Sequence, residues 1–421
     1  MQKNAHKQAM RQRSRTKEKL LMLEKTWRWF GPFDPIALSE VKQTGATGIV
    51  TALHQIPVGE IWTEADIMER KRTIEAAGFA WTVAESLPVS ELIKLRSEGY
   101  QRHIENYKLS VRNLGKCGID TVCYNFMPVL DWSRTDLEVP MTDGSVTTKF
   151  QSVAFAAFDL CILKRRNAER DYTRSGAESA RAFYSSLHEK EKARLQRTSL
   201  LGLPGSANSF SLEEFRAAIS AYERIDEAGL RDNLSYFLGQ IVPVAEESGV
   251  ALAIHPDDPP WPLLGLPRIV STKEDLRRIL SSADTFFNGI TLCAGSLGAR
   301  SDNNVVDIAK SFASRLHFIH LRNVKRTADR DFFESHHLEG DVDIGGVMQV
   351  LVREQRRRAE RGGLNHRMPI RPDHGRLMPA DSILEKEKGK SVYPGYSLIG
   401  RMKALAELRG IEIGIRRAMN F

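Results

Sequence analysis

The chain has 421 residues, 42% hydrophobic and 27% charged, enough to bury a substantial core in one large barrel or two domains. Its formal charge of +8 is concentrated at one end: residues 1–25 carry eight Lys or Arg against two Asp or Glu, or +6 of the +8. The remainder is nearly neutral and has no basic stripe interleaved with aromatics, which argues against a specific nucleic-acid partner.

The basic tail holds Arg11, Arg13, Arg15, Lys17 and Lys19 ahead of a brief Leu20-Leu21-Met22-Leu23 run. That run is too short for a signal h-region, and no later segment approaches a transmembrane span, so neither export nor a membrane partner is expected. We expect 1–25 to be a flexible, solubilising extension and 26–421 to be the folded body of the chain. Cys117, Cys123, Cys161 and Cys293 are too few and too scattered to staple a chain of this size, and they form no paired-cysteine zinc motif. Reduced thiols and a cytoplasmic location follow as the expectation. Homo-oligomerisation is compatible with a chain of this size.

In chain order, Gly48-Ile49-Val50-Thr51-Ala52-Leu53 reads as a buried strand, followed by a helix at 64–77. Phe79-Ala80-Trp81-Thr82-Val83-Ala84 is the second strand, and a helix around 100–116 leads to a third at Thr121-Val122-Cys123-Tyr124-Asn125-Phe126. Gly78 and Gly118 sit where helices should end. The alternation then breaks for an insertion over 131–239. It comprises a hairpin turning at Asp143-Gly144, its first strand made edge-like by Pro140, and charged helical stretches forming a cap. Ser211 with Glu214 three residues on marks a helix start. Strands return at 250–254, 289–293, 316–320 and 369–371, with helices at 304–314 and 347–361 between them. An eighth strand is assigned around Ser397-Leu398-Ile399, before a helix at 402–409. Nearly continuous apolar strands alternating with helices predict a parallel sheet covered by helices, here an α/β (β/α)8 TIM barrel with its insertion between strands 3 and 4. An open doubly wound sheet would need a glycine-rich nucleotide loop that the chain lacks.

A barrel presents the residues at its strand C-termini to one mouth. His255, Cys293, His320 and Asp373 all fall at such ends, and imidazole, thiolate and carboxylate are donors for a divalent metal. Taken singly, each has another account. His255 or His320 can be a hydrogen-bonded structural residue, Cys293 a small buried hydrophobe, and Asp373 a helix cap or loop anchor. Two-residue periodicity pairs Asp257 with His255, Arg322 with His320 and Asn125 with Cys123 on common faces. Arg322 can grip a carboxylate or secure the rim by a salt bridge. Of Asp257 and Asp258, only one need point inward. His54 and Glu85 end the first two assigned strands, where they can contact substrate hydroxyls or serve as structural hydrogen-bonding groups.

The segments Thr51-Ala52-Leu53-His54, Cys123-Tyr124-Asn125-Phe126-Met127-Pro128-Val129-Leu130-Asp131-Trp132 and His255-Pro256-Asp257-Asp258-Pro259-Pro260 occur in order. Cys293-Ala294-Gly295-Ser296, His320-Leu321-Arg322, Arg371-Pro372-Asp373-His374-Gly375 and Pro394-Gly395-Tyr396 complete the series. From Thr26 to the C-terminus the chain resembles the mannonate dehydratase family of the xylose-isomerase-like barrel group. The resemblance implies dehydration of D-mannonate to 2-dehydro-3-deoxy-D-gluconate in hexuronate catabolism, with Mn2+ or Fe2+ as cofactor. It also implies metal ligands at His255, Cys293, His320 and Asp373, and catalytic residues at His374 and Tyr396. Histidine titrates near neutral pH, so His374 is the expected base and Tyr396 the expected acid, although the roles can be exchanged or Asp257 can enter the proton path. Arg322 would orient the substrate carboxylate. Two other functions fit the same residues. Metal-dependent sugar isomerisation conserves water, and a sugar-acid-binding protein gives association without turnover.

Overall fold

The computed structural model describes residues 22–201, 210–362 and 366–420. In chain order its strands begin with β1 (Glu24–Arg28), β2 (Gly48–Thr51), β3 (Ala80–Glu85) and β4 (Thr121–Tyr124). A hairpin of β5 (Asp136–Pro140) and β6 (Val146–Phe150) comes next, then β7 (Ala251–Ile254), β8 (Asn288–Cys293) and β9 (Leu316–His320). A second hairpin, β10 (Asn323–Ala328) with β11 (Asp331–Ser335), precedes β12 (Pro369–Arg371). Eight of these strands close into a parallel barrel in the order β1-β12-β9-β8-β7-β4-β3-β2.

The barrel is the expected one, but its first strand is Glu24–Arg28 rather than a segment near 397–399. Two consequences follow. The insertion comes after the fourth barrel strand, not the third, and the basic tail cannot extend to residue 25, because Leu23 and Lys25 are buried in the barrel floor. Lys25 is paired with Glu412 of the last helix, Leu398–Ala418, and the backbone N–H of Leu23 donates to the same carboxylate at 2.8 Å. Trp27 packs beneath Arg401 of that helix, 3.9 Å from guanidinium carbon to ring centroid. Ser397 is the cap of the same helix, its Oγ accepting from Gly400 N at 3.1 Å. Residues 1–21 of the expected extension lie outside the described residues.

Within the insertion, the Asp143–Gly144 turn is present, with Gly144 at φ 79°. β5, which ends in Pro140, is an edge of the four-stranded sheet β10-β11-β6-β5. Ser211 Oγ accepts from Glu214 N at 3.2 Å while Glu214 Oε2 accepts from Ser211 N at 2.8 Å, the reciprocal box expected there. The expected end of the insertion at 239 falls inside the unbroken helix Glu227–Glu247, which leads into β7. The hairpin β10–β11 was not anticipated. It pairs with β6 through Phe332↔Phe150 and joins the barrel to the insertion.

Inside the barrel, Val50, Val83, Cys123, Ala253 and Phe318 form a buried apolar cluster separate from the larger core between strands and helices. Side chains two residues apart on a strand share a face. The inward positions one step beyond this layer are therefore Glu85, Asn125, His255 and His320, and strand parity alone delivers a polar mouth above an apolar floor. Among the described residues no helix is long and apolar enough to cross a membrane.

Candidate active site

His255 follows β7, its backbone N–H donating to Tyr124 O at 2.7 Å. Its Nδ1 lies 2.7 Å from Pro256 O, which fixes the proton on Nδ1 and leaves Nε2 facing His320 Nδ1 at 3.1 Å. Cys293 ends β8 and His320 ends β9, both fully buried. One ligand atom from each of these three residues lies within 4.8 Å of the other two. Asp373 joins them from the loop after β12, with Oδ2 3.7 Å from Cys293 Sγ and 3.8 Å from His320 Nδ1. It has a left-handed backbone, φ 59°, which an aspartate tolerates better than most residues.

Burial alone would discharge His255, but the Cys293 sulfur and then the Asp373 and Glu85 carboxylates outweigh it and raise its pKa to about 9. His320 is pushed the other way, well below its usual range, by burial and by the Arg371 guanidinium. The two imidazole nitrogens face each other at 3.1 Å, and a divalent cation bound there would need both rings neutral. His320 turns Nδ1 towards His255 and Asp373, while its Nε2 lies 3.4 Å from Glu85 Oε1. These donors fit a divalent metal.

Around this centre runs a belt of buried charge. Arg371 pairs with Asp373 and, at 2.7 Å, with Glu85 Oε1. Burial would raise the Asp373 carboxyl, but Arg371, His374, His320 and Arg322 hold it well below the usual carboxylate range. Arg322 passes over Gly295, where a Cβ would come within 2.5 Å of its side chain, so only glycine admits it. Its terminal nitrogens are taken by Asp258, by Glu334 Oε1 at 2.6 Å, by Ser296 Oγ at 3.0 Å and by His374 Nδ1 at 2.8 Å. Arg134, 0% exposed, pairs with Asp258 at 2.8 Å and also with Glu334.

His374 follows Asp373, and its ring stands 5.2 Å from that of Tyr396 at 76°. Tyr396 is brought there by backbone pairing: Gly375 N donates to Gly395 O at 2.7 Å, and a Cβ on Gly375 would strike Arg401 N at 2.5 Å. Burial, then Asp373, raise the Tyr396 phenol above its ordinary value. Glu85, Asn125, Trp132, His255, Asp258, Asp373, His374 and Tyr396 all line one recess.

The expected site residues thus divide. His255, Cys293, His320, Asp373, His374, Tyr396, Arg322, Glu85 and Asn125 come together at the mouth. Asp257 does not. Its Oδ2 accepts from Val270 N at 2.7 Å and Ser271 Oγ at 2.8 Å, so it pins the following loop while Asp258 turns inward. His54 sits outside the recess lining, 3.3 Å from Arg28 Nη2, and burial with Arg28 and Arg70 lowers its pKa to about 3. Asp258 is the inward member of the Asp257–Asp258 pair, whereas Arg134, Glu334 and Arg371 have no assigned role in the sequence reading. Arg371 and Asp258 lie within quoted motifs, two residues from Asp373 and three from His255, but Glu334 is carried by the unforeseen hairpin and had no sequence signal.

A closed parallel barrel with imidazole, thiol and carboxylate donors at its mouth defines a metal-dependent (β/α)8-barrel enzyme. Residues 23–421 match the family model described as D-mannonate dehydratase. A mannonate dehydratase of Chromohalobacter salexigens is 53% identical over 396 residues, covering 94% of this chain and 99% of its own. One from Marinomonas sp. is 49% identical over 398 residues, covering 94% of this chain and 100% of its own. Among solved structures, the mannonate dehydratase of Streptococcus suis serotype 2 superposes with a TM-score of 0.73 at 34% identity, covering 94% of this chain and 95% of that one. The chain belongs to the D-mannonate dehydratase family, and the reaction it catalyses is the dehydration of D-mannonate.

Proposed function

We propose that His255, Cys293, His320 and Asp373 bind Mn2+ or Fe2+, and that His374 and Tyr396 move the protons that turn D-mannonate into 2-dehydro-3-deoxy-D-gluconate and water. The observation that carries the reading is the convergence of His255, Cys293 and His320 ligand atoms within 4.8 Å, beside the recess onto which His374 and Tyr396 open. When bound, a divalent ion supplies Lewis acidity to the carboxylate end of the substrate, where C2–H must ionise beside an existing negative charge.

In this account His374 accepts the C2 proton. The C2–C3 double bond forms, the C3–O bond breaks, and Tyr396 protonates the departing hydroxyl. The resulting enol tautomerises to the 2-keto acid. Tyr396, a phenol, enters the step protonated at neutral pH, and burial with Asp373 raises its pKa further. His374 Nδ1 lies between an acceptor, Glu334 Oε1 at 3.2 Å, and a donor, Arg322 Nη1 at 2.8 Å. The base role needs the Nδ1 proton directed at Glu334, leaving the Nε2 lone pair free. The Arg322 contact supports the exchanged assignment. Deuterium wash-in at C2 separates the two, since it stops when the base is replaced and persists when the acid is. Arg322, its terminal nitrogens already committed, acts by neutralising the mouth and orienting His374 rather than as a fork on the substrate. Glu85 and Asn125 contact substrate hydroxyls.

Four unpaired thiols suit a reducing compartment, so we place the enzyme in the cytoplasm, in hexuronate breakdown. Residues 1–21 are basic and solubilising, and self-association into a homo-oligomer is testable by sedimentation. Protein loaded anaerobically with Mn2+ or Fe2+ should convert each D-mannonate into one 2-keto-3-deoxy acid. A fully metallated sample that yields none would refute the reading.

A further inference from the structure

We propose that Trp132 is a specificity-determining residue: its indole N–H donates a hydrogen bond to a non-reacting hydroxyl of the sugar acid, at C4, C5 or C6. The inference rests on the dehydratase reading and adds to it a residue and the substrate group that residue recognises.

Trp132 lies in the loop between β4 and β5, lines the same recess as His255, Asp373, His374 and Tyr396, and is 3% exposed. The Arg134 guanidinium carbon stands 4.7 Å from its ring centroid, and Arg134 is itself pinned by Asp258 and Glu334. The His374 ring meets it at 87° with centroids 6.2 Å apart. These contacts hold the indole plane, so the direction of its N–H is set before any ligand arrives. Yet Nε1 is buried and meets no acceptor of the protein. An indole nitrogen only donates, and a buried one normally finds a partner. On the wall of a substrate recess, such a donor is matched by an acceptor on the ligand.

The chemistry of that acceptor is narrowed by a second unsatisfied atom on the same recess. Glu85 Oε2 is buried and accepts no hydrogen bond, its charge being faced by Arg28 Nη1 at 3.5 Å. A donor and an acceptor left over together suit hydroxyls, which both accept and donate, whereas a carboxylate can only accept. The groups at C2 and C3 are altered by the reaction, so the hydroxyl recognised lies further along the chain. An analogue lacking it leaves a buried donor unpaired, the circumstance in which a site discriminates most strongly.

The test is kcat/KM of the metallated enzyme on D-mannonate and on its 4-, 5- and 6-deoxy analogues. The wild type is expected to lose about tenfold on one analogue, the size of a single hydrogen bond. Trp132→Phe keeps the aromatic plate and removes the N–H. It is expected to lose a similar factor on D-mannonate and to treat that analogue and D-mannonate alike. Trp27→Phe removes another partnerless indole N–H, outside the recess, and is expected to keep the wild-type preference. Equal turnover of all four compounds by the wild type overturns the proposal without reference to any variant's folding. So does an undiminished preference in Trp132→Phe, or a parallel loss in Trp27→Phe, which would assign the effect to general loosening. Failure of the wild type to dehydrate D-mannonate itself would sink the dehydratase reading, and this proposal with it.

Discussion

Glu334 accepts on one oxygen from both Arg134 and Arg322 and stands 3.2 Å from His374 Nδ1. Burial by itself would raise its pKa, but Arg322, His374 and Arg134 together bring it from the ordinary 4.5 down to about 2. A difference of roughly two and a half units corresponds to about 3 kcal/mol of stability. That agrees with the loss of about 3–5 kcal/mol usual when one partner of a buried ion pair is removed. The folded pKa lies below the unfolded one, so the contribution is present above about pH 4.5 and is lost as pH falls towards about 2. Glu334→Gln should therefore lower the unfolding free energy at pH 7 by about 3 kcal/mol in urea titrations at fixed metal content. The gap to wild type should narrow as both proteins are taken below about pH 4. A variant as stable as wild type at pH 7, or a gap that stays constant into the acid range, would refute the reasoning.

Cys293→Ala should retain the far-ultraviolet signature of the fold while losing metal on dialysis; wild-type metal content by elemental analysis would remove Cys293 from the ligand set. Tyr396→Phe should bind metal normally and turn over about 10²–10⁴-fold more slowly, the usual scale of a lost proton donor. Unchanged turnover would end its role as acid. Asp257→Ala removes the acceptor for Val270 N and Ser271 Oγ, so it should cost about 1–3 kcal/mol in unfolding experiments while kcat stays near wild type. A large kcat loss at full stability would return Asp257 to the proton path. Removing residues 1–21 should abolish most binding to a polyanion column without changing dehydration, and a parallel fall in kcat would tie that segment to the site.

The barrel could be read from sequence because parallel strands buried on both faces appear as apolar runs, and the proposed ligands end or follow those runs. β7 is Ala-Leu-Ala-Ile immediately before His255, and β9 brings its own His320 to the mouth. β1 escaped because Glu-Lys-Thr-Trp-Arg carries three charges that are neutralised only by partners far along the chain, Lys25 by Glu412 among them. Ser397-Leu398-Ile399 reads as a strand because a short apolar run has no period of its own, whereas the Ser397 cap makes it a helix start. Asp257 was assigned inward by carrying strand alternation past the end of β7 at Ile254, where the backbone had already turned into a loop. Glu334 meets Arg134 across 200 residues through a sheet built from two separate hairpins. No local pattern encodes that contact.

One cation held by His255, Cys293, His320 and Asp373 is the proposed centre of the reaction. Anomalous diffraction at the manganese edge from Mn2+-loaded crystals with a non-reacting mannonate analogue tests it most directly. The expected result is a single strong peak bonded to His255, Cys293, His320 and Asp373, with the analogue between it and His374. A peak elsewhere, or those four side chains unligated in an analogue-bound enzyme, would contradict it.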